Sequence, residues 1–191
     1  MLFYTPMKRL IILTLLSGSL YAAENTNTVS AVSTNAIKTK AAKREGDLVT
    51  LVATNDFGVQ FALTEDEKMF GDWDKPGIPH FTPVSVAKRG VPICTVVIFA
   101  GAGLRSNGKA DVTFDVVIRK PDGSVYGQDK DMVGAQDRID PSPRALHLAR
   151  DFMGVRIEPK DPAGTYTVEV VVKDNVKKLE LHLKRSFMVE K

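Results

Sequence analysis

The chain contains a single cysteine, Cys94, so no intrachain disulfide can form. A fold without that staple rests on its packed core alone. Cys94 sits in the apolar run Val91-Pro-Ile-Cys-Thr-Val-Val-Ile98 with no basic neighbour in sequence. That setting suits a buried small hydrophobe rather than a reactive thiolate. Histidine is scarce as well: His80, His147 and His182 stand far apart, at no metal-ligand spacing. No metal site and no cofactor site is expected from them. Gly101-Ala-Gly103 lacks the later glycine and the following helix of a phosphate-binding loop. Nothing resembles a nucleophile elbow, and no catalytic residue is assigned. Charge of one sign is missing too, with 26 basic against 23 acidic residues. Nucleic-acid binding would call for a strong positive excess, so that class is set aside.

A stretch long enough to cross a membrane is also lacking. The apolar run Leu10-Ile-Ile-Leu-Thr-Leu-Leu16 is too short for a ~30 Å hydrocarbon core. It follows Lys8 and Arg9 and precedes the small residues Ser17-Gly18-Ser19 and Ala22-Ala23. A basic start, a short apolar middle and a small-residue end read as a secretory signal peptide over residues 1–22. Cleavage after Ala22 is the better fit, and Met7 is an alternative start. No cysteine lies near the cut, so a lipid anchor is not expected. The mature protein is expected in the periplasm or outside the cell, with no transmembrane segment once the signal is gone. Removing Lys8 and Arg9 leaves 24 basic residues against 23 acidic ones.

Residues 23–46 are small and polar, too poor in large apolar groups to offset the entropy of ordering, and read as a disordered linker. Lys38, Lys40, Lys43 and Arg44 give its end a basic patch, which could rest on an anionic envelope surface. Residues 47–83 read as an N-terminal hairpin and a short helix. Leu48–Ala53 and Gly58–Leu63 are the two strands, joined by a turn over Asn55–Gly58. Thr64-Glu-Asp-Glu67 has the form of a capping box and predicts a helix over 65–73, with Met69, Phe70 and Trp73 on one side. Pro76, Pro79 and Pro83 end it.

Residues 84–191 read as a β-sandwich domain. Val91–Phe99 is apolar on both faces, as a central strand should be. Asp111–Arg119 alternates, Lys120-Pro-Asp-Gly-Ser124 turns the chain, and Tyr126 begins the return. Residues 128–145 read as a long polar loop. Met153, Val155 and Ile157 alternate again, and Asp161-Pro-Ala-Gly164 makes another turn. Tyr166, Val168, Val170 and Val172 face inward on the next strand, and Leu179 to Val189 form the last. A bulge is expected near Lys184–Ser186. Short alternating strands about ten residues apart give a mainly β, antiparallel sandwich. A parallel sheet would need helical crossovers for which there is no room.

Asp161-Pro-Ala-Gly-Thr-Tyr-Thr-Val168 resembles the corner before the penultimate strand of immunoglobulin-like and fibronectin-type sandwiches. The resemblance implies that Tyr166 bonds back across that corner. Antibody-type domains carry cysteine where Val168 stands. Arg89-Gly90, Lys120-Pro-Asp-Gly123 and Gly164-Thr-Tyr166 together look like macroglobulin-type modules of bacterial surface proteins. The chain is also similar to uncharacterised exported proteins of Gram-negative bacteria. These likenesses imply a sandwich fold and an envelope compartment, and no activity.

Two local groups carry candidate chemistry. Asp129, Asp131, Asp137 and Asp140 cluster in the expected loop, without the spacing of a calcium-binding loop. Phe70, Asp72, Trp73 and Asp74, with His80 and Arg138 as polar neighbours, form a candidate binding surface, since tryptophan is enriched at binding hot spots. The competing reading is that Met69, Phe70 and Trp73 pack inward as core. Function is read as non-enzymatic binding of an envelope protein or cell-surface polymer. The alternative is a carbohydrate-active accessory protein or hydrolase using residues 129–140 and Trp73.

Overall fold

The computed structural model describes residues 48–75 and 80–191, and the backbone of 10–13. The expected signal peptide and the linker 23–46 therefore lie outside the described residues, apart from one strand. That strand, β1 (Leu10–Leu13), is followed by β2 (Val49–Thr54), β3 (Phe57–Thr64) and the single described helix, α1 (Met69–Asp72). Next come β4 (Val86–Ala87), β5 (Pro92–Ala100), β6 (Val112–Arg119), β7 (Val125–Ala135) and β8 (His147–Leu148). β9 (Phe152–Arg156), β10 (Gly164–Asp174) and β11 (Leu179–Val189) complete the chain.

The strands form a mainly β sandwich of two sheets. The front sheet runs β1-β9-β5-β3-β2, with β8 also on β5, and the back sheet runs β4-β11-β10-β6-β7. Pairing is antiparallel except for β1 with β9 and β4 with β11. Side-chain alternation builds the core between the sheets. Phe57, Val59, Phe61 and Leu63 of β3 meet Val168, Val170 and Val172 of β10 and Leu181, Leu183 and Phe187 of β11 there. β5 is buried on both faces, as its sequence requires. Ile93, Val97 and Phe99 enter the central core, while Cys94, Val96 and Ile98 enter a second cluster on the outer face of the front sheet. Met69 and Phe70 of α1 cover that outer cluster.

Several expectations need correcting. The N-terminal hairpin supplies two strands of the sandwich, because β3 pairs with β5 from Gly58↔Ala100 to Thr64↔Cys94. The hairpin expected as a separate N-terminal piece is thus part of the same packed sheet as residues after Val84. Its turn is the two-residue pair Asn55-Asp56, both at positive φ, and β3 starts at Phe57. Such primed turns match the twist of the flanking strands. The helix is one turn long, not nine residues. Thr64 Oγ1 does accept from the Asp66 N–H (3.1 Å), but its own hydroxyl donates to the Thr82 carbonyl (2.9 Å). Glu67 makes no reciprocal bond, so the box is only half formed. Residues 128–135 are strand rather than loop, because β7 pairs with β6 through register shifts that absorb its polar residues. The bulge expected at 184–186 is absent: β10 and β11 run in unbroken register from Gly164↔Val189 to Asp174↔Leu179. Leu183 and Phe187 are an even number apart and share a face, with Arg185 half-buried between them.

Polar contacts close the ends and one side of the sandwich. At one corner the Tyr166 hydroxyl donates to the Pro162 carbonyl (3.0 Å), as the resemblance implied. Beside it the Tyr126 hydroxyl donates to Asp161 Oδ2 (2.5 Å). Arg89 Nη1 donates to the carbonyls of Glu158 (2.9 Å) and Asp161 (3.0 Å). At the opposite end the buried Asp174 carboxylate accepts the N–H groups of Gly103 (2.7 Å), Val176 (3.0 Å) and Lys177 (2.9 Å). Along the side, Asp151 Oδ2 accepts the Val133 N–H (2.7 Å), the Asp151 N–H donates to the Val133 carbonyl (2.9 Å), and the Arg150 N–H donates to the Gly134 carbonyl (2.9 Å). These bonds stitch the segment before β9 to β7 across the two sheets.

Candidate functional site: a cleft beside Trp73

A cleft of about 200 Å³ opens where α1 meets that stitched side. Two pieces of chain far apart in sequence build it. α1 lies on the outer cluster because Met69 and Phe70 are buried there, with Phe70 stacked on Phe152 (centroids 3.7 Å apart, planes at 7°). This anchor delivers Trp73 and Asp74 to the rim. The second piece is residues 134–150, carried back by β8, which pairs Leu148 with Ile98 and His147 with Phe99. Phe99, Ile139 and Leu148 give the cleft an apolar lining, and Asp137, His147 and Arg150 add polar groups.

The polar groups are partly fixed. Arg150 Nη1 lies 3.8 Å from Asp137 Oδ2, with the arginine about a third exposed and the aspartate about two-thirds exposed. A pair that open is worth little to stability and leaves both charges within reach of a ligand. His147 Nε2 shares a hydrogen bond with the Asp140 carbonyl (2.8 Å), and its ring lies 5.7 Å from that of Phe99. Trp73 is half-buried: it packs on the outer cluster and still lines the cleft. The two readings of this tryptophan, core and surface, therefore both describe part of it.

The candidate residues divide. Trp73 and Asp74 line the cleft. Phe70 does not; it is 3% exposed and belongs to the core, which corrects its place in the binding surface. Asp72 is exposed and paired with Lys75 Nζ (2.5 Å) outside the cleft. His80 is exposed and is not part of the lining. Arg138 is exposed too, lies beside Gly108 and is not part of the lining, where the cation is Arg150. The acidic cluster is likewise split. Asp129 and Asp131 stand on β7, Asp131 beside Lys173 Nζ (3.4 Å), and only Asp137 reaches the cleft.

Arg150, His147, Ile139 and Leu148 escaped the sequence reading. Their one signal was the apolar-polar alternation of Leu146–Leu148, too short to mark a strand. Among the described residues no group of three or more His, Cys, Asp or Glu is placed to hold a metal ion. Cys94 is buried in the outer cluster and does not line the cleft, and burial pushes its thiol up to about 12. Elsewhere the outer face of the back sheet carries a charged lattice. The Arg119 and Lys184 side chains hold the Glu169 carboxyl below its usual value. Asp115 is also held low: burial would raise it, but the Asp131 N–H and Lys173 outweigh that.

No helix among the described residues is long and apolar enough to cross a membrane. No family model matches the chain, and no curated protein matches it. Among solved structures it is similar to a family 123 glycoside hydrolase from Clostridium perfringens, at 12% identity and a TM-score of 0.37. The match covers 70% of this chain and 27% of that one, and a likeness so distant carries no argument about activity.

Proposed function

We propose that this chain is an exported, non-enzymatic binding protein of the periplasm or cell exterior, and that it takes its ligand in the Trp73 cleft. Export is supported by the sequence Lys8-Arg9 followed by Leu10–Leu16 and small residues. Binding is supported above all by one observation: a half-exposed indole, an apolar lining, a cation and two carboxylates share one concavity. An indole offers large apolar area at low entropic cost, and a few placed polar groups set orientation. The cleft is small, so it fits one unit of a larger molecule, such as one ring of an envelope polymer or one side chain of an envelope protein. Trp73 is the only tryptophan, so its fluorescence reports the site alone. Titration with soluble cell-wall oligosaccharides should give a saturable change that weakens about tenfold in Arg150→Ala, the scale of one lost charged contact. A flat titration across oligosaccharides and envelope-protein extract would refute the reading.

A second reading, a carbohydrate-active hydrolase, is favoured by Asp74 and Asp137 lining the same cleft as Trp73. It differs in one measurable way. Release of product from chromogenic glycosides, abolished in Asp137→Asn, would establish turnover. Binding without release supports the non-enzymatic reading.

A further inference from the structure

We propose that the outer edge of β9 is a strand-acceptor site, filled by Leu10–Leu13 in the uncleaved chain and opened to an apolar strand of another exported chain when residues 1–22 are removed. The opening step rests on the export reading above; the site itself does not. Leu10–Leu13 lies parallel to β9 in the register Leu10↔Phe152, Ile11↔Met153, Ile12↔Gly154 and Leu13↔Val155. The opposite edge of β9 is occupied by β5, from Pro92↔Arg156 to Cys94↔Gly154. The Met153 N–H points to that side, donating to Thr95 Oγ1 (2.9 Å). Backbone groups alternate along a strand, so the N–H groups of Phe152 and Gly154 point the other way, to the edge held by β1.

This edge differs from the β7 margin of the other sheet, which carries Asp129, Lys130 and Asp131, charges of the kind that keep an edge from pairing with strangers. Phe152-Met-Gly-Val155 carries none, and its side chains are apolar on both faces: Phe152 in the outer cluster, Met153 and Val155 in the central core. Such an edge suits an uncharged strand that is apolar at successive positions rather than at alternate ones. Leu-Ile-Ile-Leu has that composition. Its loss leaves main-chain donors and acceptors beside an apolar margin, the arrangement that recruits a partner strand by β-augmentation.

Hydrogen exchange decides the matter in the full-length chain. Ile11→Pro and Ile12→Pro each remove one N–H, and whichever residue carries the ladder bond, one of the two breaks it. The amides of Phe152 and Gly154 should then exchange at least about tenfold faster, as a local opening does. Unchanged exchange at Val96 and Val170 shows in the same spectra that the sandwich is intact. A lysine-tagged peptide of residues 10–16, added to whichever variant loses protection, should restore it at Phe152 and Gly154, and the same peptide with Ile11→Lys should not. Equal exchange in wild type and both variants, or no rescue by the peptide, overturns the site. A chain recovered from cells with residues 1–22 still attached overturns the opening step, whatever the cleft binds.

Discussion

Single residues at the sandwich ends carry more of the fold than their number suggests. Asp174 is fully buried, and its carboxylate accepts three backbone N–H groups from two loops. Asp174→Ala leaves all three without a partner, and each buried orphan costs about 1–3 kcal/mol. The expected loss is about 3 kcal/mol or more in urea unfolding, with a smaller loss for Asp174→Asn, which keeps one acceptor oxygen. Tyr126 gives the pH dependence. Burial first, and then its bond to Asp161, raises its phenol above the ordinary value near 10. A group raised in the folded state contributes fully below its unfolded value and loses that contribution as pH rises past it. Stability should therefore hold from about pH 7 to 9 and fall above about 10. Tyr126→Phe should flatten the alkaline fall in urea midpoint against pH. Tyr166, also raised mainly by burial, should leave part of it.

At the scale of elements, close approach between turns sets limits that no periodicity reveals. Gly101, just past β5, has φ +68, and a Cβ there would meet the Asp56 carbonyl oxygen at 1.8 Å. The neighbour is backbone of the β2–β3 turn, itself held at positive φ by Asn55 and Asp56. Gly101→Ala should cost about 3 kcal/mol or more, because it combines a strained φ with a backbone clash. Thermal unfolding checks this, with Gly90→Ala as the contrast: its φ is +77 with nothing within 4 Å, so it pays the strain alone. The strands were legible for the opposite reason. Alternation in 112–119 and 164–174 is a local property, and so is the two-faced apolar run of β5. The reach of β7 was not legible, since Asp129, Lys130 and Asp131 look like loop until their pairing with β6 is seen. The cleft was half legible. Trp73 announces itself by rarity, whereas Arg150 and His147 matter only because β8 folds back onto β5.

For the whole molecule, the cleft and the seam between the sheets are one construction. Arg150 points its guanidinium at Asp137 in the cleft while its backbone N–H is bound to Gly134 of β7. The next residue, Asp151, uses both its N–H and its carboxylate to hold Val133. The proposed ligand site and the closure of the sandwich therefore share two consecutive backbone bonds and one carboxylate bond, and their roles separate by mutation. Trp73→Ala removes a half-buried indole from the rim and should abolish binding; its cost to the fold is the lost packing on the outer cluster, about 1–2 kcal/mol for partial burial. Asp151→Ala orphans the Val133 N–H, costs about 1–3 kcal/mol, and frees the backbone that presents Arg150. Its stability loss should come with weaker binding, even though Asp151 does not line the cleft. Equilibrium urea unfolding and fluorescence titration on Asp151→Ala test the coupling together. Full affinity in a destabilised Asp151→Ala protein would show that the seam only holds the sheets, and that the cleft is shaped by α1 and β8 without it.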